Sequence, residues 1–139
     1  MKKISILIIT CFSLLLTISC SKDDEGSSSS SFNPPNWIIG TWLDKNEPEW
    51  SQIGGFKFTS DNIIDLNADG QEILNYDQSF AIGLKSGTMK IDETITNEVY
   101  QIIINTSGIT TLNYTFNKGS SNSIIYELNA TQNVELTKQ

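Results

Sequence analysis

The run Asp65-Leu66-Asn67-Ala68-Asp69-Gly70 sets oxygen-bearing side chains at alternate positions around a tight turn. A hard cation such as calcium needs several oxygens converging on one point. This spacing supplies the first three ligands and the sixth-place glycine of a calcium loop. The twelfth place, where a bidentate acid should close the shell, holds Tyr76, with Asp77 one residue later. Half a motif is weak. A hairpin turn with Asp69-Gly70 at its tip explains the same residues without metal and is the favoured reading. Asp65, Asn67 and Asp69 thus stand as a weak calcium candidate, and no cofactor is expected.

Trp37, Trp42 and Trp50 lie near Asp44, Glu47 and Glu49. Exposed indoles beside carboxylates can stack on a sugar ring and accept its hydroxyls. A tryptophan at the start of a strand is more often core, and core is the reading for Trp42. Trp50 is the open one. The pair Asp92-Glu93 could in principle do acid–base work, but adjacent residues on an extended chain point apart. The chain has no histidine, and its two cysteines are Cys11 and Cys20. Neither Ser–His–Asp triads nor Cys–His nucleophiles nor Cys/His zinc sites can be built from that set. An enzyme is not expected.

The elements that position these residues are short. Leu112, Tyr114 and Phe116 alternate with Thr111, Asn113 and Thr115; Ile124, Tyr126 and Leu128 alternate with Ile125, Glu127 and Asn129. Phe56 and Phe58 flank Lys57, Met89 and Ile91 flank Lys90, and Val134 and Leu136 flank Glu135. Period two with one apolar face is a half-buried strand. Turn residues fall between these runs, at 60–62, 67–70, 85–87, 105–108 and 117–120. No stretch offers ten or more residues of capped helical periodicity. The fold class predicted is all-β: a small antiparallel meander of eight to ten strands, closed or half-open as a barrel.

Ahead of the strands the composition changes. Lys2 and Lys3 precede an apolar run at 4–18, the layout of an export signal and too short for a comfortable membrane span. The run ends at Leu16-Thr17-Ile18-Ser19-Cys20. This resembles the lipobox of bacterial lipoproteins, with a small residue at the cut and a cysteine to carry diacylglycerol. The resemblance implies a lipid anchor on Cys20 and attachment to a membrane, since two or more acyl chains hold stably where one is marginal. Lys22-Asp23-Asp24-Glu25 behind it resembles the acidic export signal of surface lipoproteins in Bacteroidota. It implies the outer membrane and the cell surface, with a periplasm-facing anchor as the alternative. The organisation read from the sequence is therefore a signal peptide at 1–19, a lipidated cysteine and disordered Ser-rich tether at 20–36, and a β domain at 37–139. As a coil, the tether would span roughly 20–25 Å.

The β domain opens on Ile38-Ile39-Gly40-Thr41-Trp42-Leu43. Gly40, Thr41 and Trp42 resemble the Gly-x-Trp motif that begins lipocalin-like barrels, where the indole plugs one end. Phe56 to Asn62 is similar to the second strand and turn of bacterial lipocalin-like lipoproteins. In many lipocalins an arginine caps that tryptophan, and this chain has no arginine. The domain is also short for a lipocalin, which implies a shallow or partly open barrel.

The resemblance implies a binding module for a small apolar ligand at the barrel mouth. The other expectation is a surface accessory protein that contacts a glycan or a protein partner. A formal net charge of −7 without arginine makes nucleic acid an unsuitable partner, because phosphate binding needs clustered positive charge. A monomer is expected. The anchor is directly testable: Cys20→Ser should move the protein to the soluble fraction, and the intact mass of the wild type should carry a diacylglycerol. A free, unmodified amino terminus at residue 20 would refute it.

Overall fold

A computed structural model describes residues 32–44, 46 and 53–139. Residues 1–31, with the signal segment, Cys20 and most of the tether, lie outside the described residues, as do Glu47, Glu49 and Trp50. The alternating runs form strands β1 (Gly40–Leu43), β2 (Gly55–Phe58), β3 (Ile63–Leu66) and β4 (Glu72–Asn75), followed by helix α1 (Tyr76–Ser86). Five longer strands complete the chain: β5 (Met89–Ile95), β6 (Val99–Thr106), β7 (Ile109–Lys118), β8 (Ser123–Asn129) and β9 (Gln132–Lys138).

One antiparallel sheet results, in the order β4-β3-β2-β1-β9-β8-β7-β6-β5, curled into a half-barrel. Every neighbour along the chain pairs with the next until β4. The first and last strands then pair with each other, Trp42 opposite Lys138 and Leu43 opposite Thr137. This leaves β4 and β5 as the two edges, and unpaired edges invite association with other chains. α1 connects them and contacts β3, β4 and β5, so the helix occupies the gap where a closed barrel would continue its hydrogen bonding.

The helix departs from the sequence expectation, which allowed none of this length. Its caps are complete. The Asn75 side chain accepts from the Gln78 backbone N–H at 3.2 Å. Gly87 takes the left-handed conformation, φ 74°, and its N–H returns to the Leu84 carbonyl. The apolar face is thin: Tyr76 alone is buried, Phe80 and Leu84 are half-buried, and Ile82 points to solvent. A helix that fills a gap beside a sheet does not need the wide apolar stripe that periodicity searches detect.

Side chains from alternate positions of the strands fill the interior. Tyr100, Ile102 and Ile104 of β6 face Phe116, Tyr114 and Leu112 of β7, and Phe116 faces Tyr126 of β8. Phe116 is the hub, with ring centroids of Phe56 and Phe58 at 5.0 Å, both edge-on, and Tyr126 at 5.3 Å. Edge-to-face pairs of this kind add about 0.5–1.5 kcal/mol each beyond the area they bury.

Phe32 corrects the domain boundary. The sequence reading placed it in the tether, yet it is completely buried, packed edge-on against Tyr76 at 6.0 Å. Asn33 follows with its N–H shared between both carboxylate oxygens of Glu93 at 3.1 Å. Ile38 is also fully buried, and its N–H bonds the Pro35 carbonyl at 3.0 Å. The folded unit therefore includes 32–36, because one aromatic ring recovers enough hydrophobic free energy to order a few polar neighbours. Phe32→Ala and Trp42→Ala should each cost about 3–5 kcal/mol, the range for deleting a large core aromatic. Urea unfolding measures this; a loss below about 1 kcal/mol for Phe32→Ala would mean that the segment is not part of the core.

Candidate functional site

The calcium candidates do not converge. Asn67 spends its side-chain oxygen on the hairpin itself, accepting from the Asp69 N–H at 3.0 Å and the Gln71 N–H at 2.8 Å. The Gly70 N–H closes the turn onto the Asn67 carbonyl at 2.9 Å. Asp69 is exposed at the tip, while Asp65 is buried inside the barrel. Among the described residues no group of three or more acids, cysteines or histidines could hold a metal ion. The segment is the hairpin turn between β3 and β4.

Asp65 faces inward because Phe56, its partner across β2, does so. Tyr76, in the twelfth place of the would-be loop, reaches it after all, but through a hydroxyl: its O–H donates to Asp65 Oδ2 at 3.1 Å. The Tyr76 hydroxyl also shares a 2.7 Å hydrogen bond with that of Tyr114. Asp65 Oδ1 is sealed from solvent and has no hydrogen-bond partner. Burial pushes the Asp65 carboxyl up to about 6, only partly opposed by the Tyr76 hydrogen bond. The Tyr76, Tyr114 and Tyr126 hydroxyls are all raised, first by burial and with a contribution from the Asp65 charge, Tyr126 to about 12; at Tyr114 the hydrogen bond from Tyr76 partly opposes the rise.

The second inward acid is Glu93, opposite Ile102. It accepts a short hydrogen bond from the Tyr100 hydroxyl as well as the Asn33 N–H. Asp92 points the other way, to Lys90 Nζ at 2.6 Å and Asn105 Nδ2 at 3.2 Å. The adjacent acids are thus on opposite faces of β5.

Gly40, Thr41 and Trp42 sit at the seam where the sheet's first and last strands meet. Gly40 has φ 135°, and a Cβ there would lie 2.8 Å from Lys138 Cε. Thr41 accepts the Gln139 N–H on its carbonyl at 3.0 Å. Trp42 is buried and donates its indole N–H to the Ile38 carbonyl at 2.6 Å. Lys138 Nζ lies over the Trp42 ring, 5.1 Å from its centroid. A cation, the Lys138 ammonium, therefore caps the tryptophan. Trp37 is half-buried and donates to the Thr96 carbonyl at 3.0 Å.

These contacts close one end of the barrel, where the turns at 59–62, 96–98 and 119–122 lie with the 32–39 segment. Toward the opposite end, where the turns at 67–71, 107–108 and 130–131 lie, several inward side chains lose their cover, although Ile104 stays fully buried. Leu74, Met89, Ile91, Leu112, Tyr114 and Val134 are each only half-buried. Exposed apolar residues stand around the same end, Ile73, Ile109 and Leu128 at 48, 73 and 54% exposure. Two further clefts lie on the surface, one by Trp37, Ile95 and Lys118 and one by Met89, Asp92 and Asn105.

The Asp65–Tyr76–Tyr114 chain was not foreseen. Its only signal was that Asp65 interrupts an apolar run, Ile63-Ile64-Asp65-Leu66, which a strand buried on both faces would not ordinarily contain. Comparison with protein-family models, characterised proteins and solved structures gives no match.

A carboxyl raised by the fold makes stability depend on pH. Native Asp65 holds its proton to about 6, while in the unfolded chain it releases it near 3.8. Between those values the native state binds more protons, so stability falls as pH rises and the loss is complete above about 6. The difference amounts to roughly 2–3 kcal/mol. Asp65→Asn should remove it. Urea unfolding of both proteins at pH 4 and pH 7 checks this, and an unchanged pH dependence in Asp65→Asn would refute it.

Proposed function

We propose that this chain is a lipid-anchored lipoprotein of the outer membrane, displayed at the cell surface, whose half-open barrel binds a small apolar molecule at its open end. The observation that carries the binding reading is the gradient of burial along the interior. At the closed end Phe32, Ile38, Trp42, Phe58 and Tyr100 are at most 2% exposed. At the other end Leu74, Met89, Ile91, Leu112 and Val134 keep part of their apolar surface in water, and covering that surface is the driving force a ligand would use.

The lipocalin-like resemblance is supported by the meander, by Trp42 at the closed end and by Lys138 on its ring. The anchor follows from the sequence ending in Cys20, twelve residues before Phe32. Because the chain enters the fold at the closed end, the open end is the one farther along the chain path from the membrane. That orientation suits capture from the surroundings.

A second reading, a surface that contacts a glycan or a protein partner, is favoured by the exposed Ile73, Ile109 and Leu128 around the same end. Two substitutions separate the readings. Leu112→Lys places a charge inside the mouth, and Ile109→Ser alters only the rim. Titration with an environment-sensitive apolar fluorophore should show affinity reduced at least about tenfold by Leu112→Lys, a loss of about 1.4 kcal/mol. Ile109→Ser should leave it within about twofold. The reverse ranking would favour the surface-contact reading.

A further inference from the structure

The interior below the open end contains one group that an apolar ligand alone would leave unanswered. Asp65 is 3% exposed, its Oδ1 has no partner, and the atom is cut off from solvent. Natively buried polar atoms are nearly all paired, and an orphaned carboxylate oxygen asks for a missing donor. The groups facing it are Tyr76 from α1, Tyr114 from β7 and Tyr126 from β8. None is a cation. Lys57 of β2, the nearest lysine by register, lies on the outer face and pairs with Glu72 of β4 at 2.9 Å. Lys138 is engaged with Trp42, and Lys90 with Asp92.

Rings surround this carboxylate. Phe56 stands beside it across the β2–β3 pair. Tyr126 is edge-on to Phe56 at 5.0 Å, Tyr114 is edge-on to Phe56 at 6.0 Å, and Tyr114 and Tyr126 are stacked at 6.0 Å. Tyr76 closes the set, 5.9 Å from Tyr114. A negative oxygen next to several aromatic faces, with no positive group supplied to it among the described residues, is an environment suited to a cation. A neutral donor would complete the hydrogen bond and leave the charge unbalanced; an ammonium answers both.

Resting on the binding reading above, we propose that the ligand of the open end is a small organic amine. Its apolar body lies among Leu74, Leu112 and Val134, and its ammonium sits between Asp65 Oδ1 and the rings of Phe56, Tyr114 and Tyr126. The amine reaches the oxygen when the half-buried Tyr114 and Tyr126 rings part. The complex is held by an ion pair in a poorly solvated site, and no covalent step is involved.

Two probes of matched shape test this, 2-phenylethylammonium and 2-phenylethanol. Each is titrated by NMR at pH 7.5 against the chain from residue 20 onward, prepared without acylation. The cation should bind at least tenfold more tightly than the alcohol. Its affinity should fall as pH drops through about 6, where Asp65 takes up a proton, and the alcohol's should not. Asp65→Asn, nearly the same shape and still able to accept from Tyr76, should abolish the preference while keeping alcohol binding; Tyr126→Leu should weaken the cation selectively. Equal affinity of the two probes, or a preference that survives Asp65→Asn, would overturn the amine assignment and leave the binding reading standing. Failure of both probes to shift any resonance of Leu74, Leu112 or Val134 at millimolar concentration would overturn both.

Discussion

The hydrogen bond from the Tyr76 hydroxyl to Asp65 links the first residue of α1 to β3 across the interior, and much of the architecture turns on it. Among the described residues β4 and β5 have no partner strands on their outer edges, and α1 stands between them. Tyr76 fixes where that helix begins. Its ring packs against Phe32, Phe80 and Tyr114, so the N-terminal segment, the helix and β7 meet on one side chain. With no cysteine among the described residues to staple the gap, aromatic packing and one buried hydroxyl take that role.

A buried acid is an unusual choice for such a junction. Desolvation opposes its ionised form, and the single hydrogen bond from Tyr76 offsets only part of that cost. Glu93, the other acid facing inward, is treated differently: both its oxygens receive donors, from Asn33 and Tyr100. The two carboxylates share a face of the sheet and differ in how fully they are answered. One fastens the plug of the closed end, and the other is left with an oxygen to spare.

Strand positions were legible where alternation was clean. Leu112, Tyr114 and Phe116 do line one face, and so do Phe56 and Phe58. The half-open all-β architecture follows from those runs and the turns between them. β3 was harder, because Ile63, Ile64, Asp65 and Leu66 are all buried and no alternation reveals which way the acid points. Spacing alone therefore kept a weak calcium candidate beside the favoured hairpin turn, and could not tell that the pleat sends Asp65 into the core. α1 was missed because Gly87 was read as turn chemistry and Asn75 was not read as the cap it is. Phe32 was missed because one aromatic in a Ser/Pro/Asn tract has no periodicity to report. Lys138 was invisible as a cap on Trp42 until β9 was known to pair with β1.

The burial of Phe32 also determines how the molecule carries load. Any pull on the chain upstream of residue 32 is not spent on a slack connection to the first strand. It arrives at a ring seated in the core, backed by the Asn33–Glu93, Trp37–Thr96 and Trp42–Ile38 hydrogen bonds. Asn33, Trp37 and Ile38 lie ahead of β1 along the chain, so tension meets their hydrogen bonds before it reaches the pairing of β1 with β2 and β9. The closed end thus stands as a mechanical fuse in series with the sheet: a load entering from upstream of residue 32 meets this short segment before the strands.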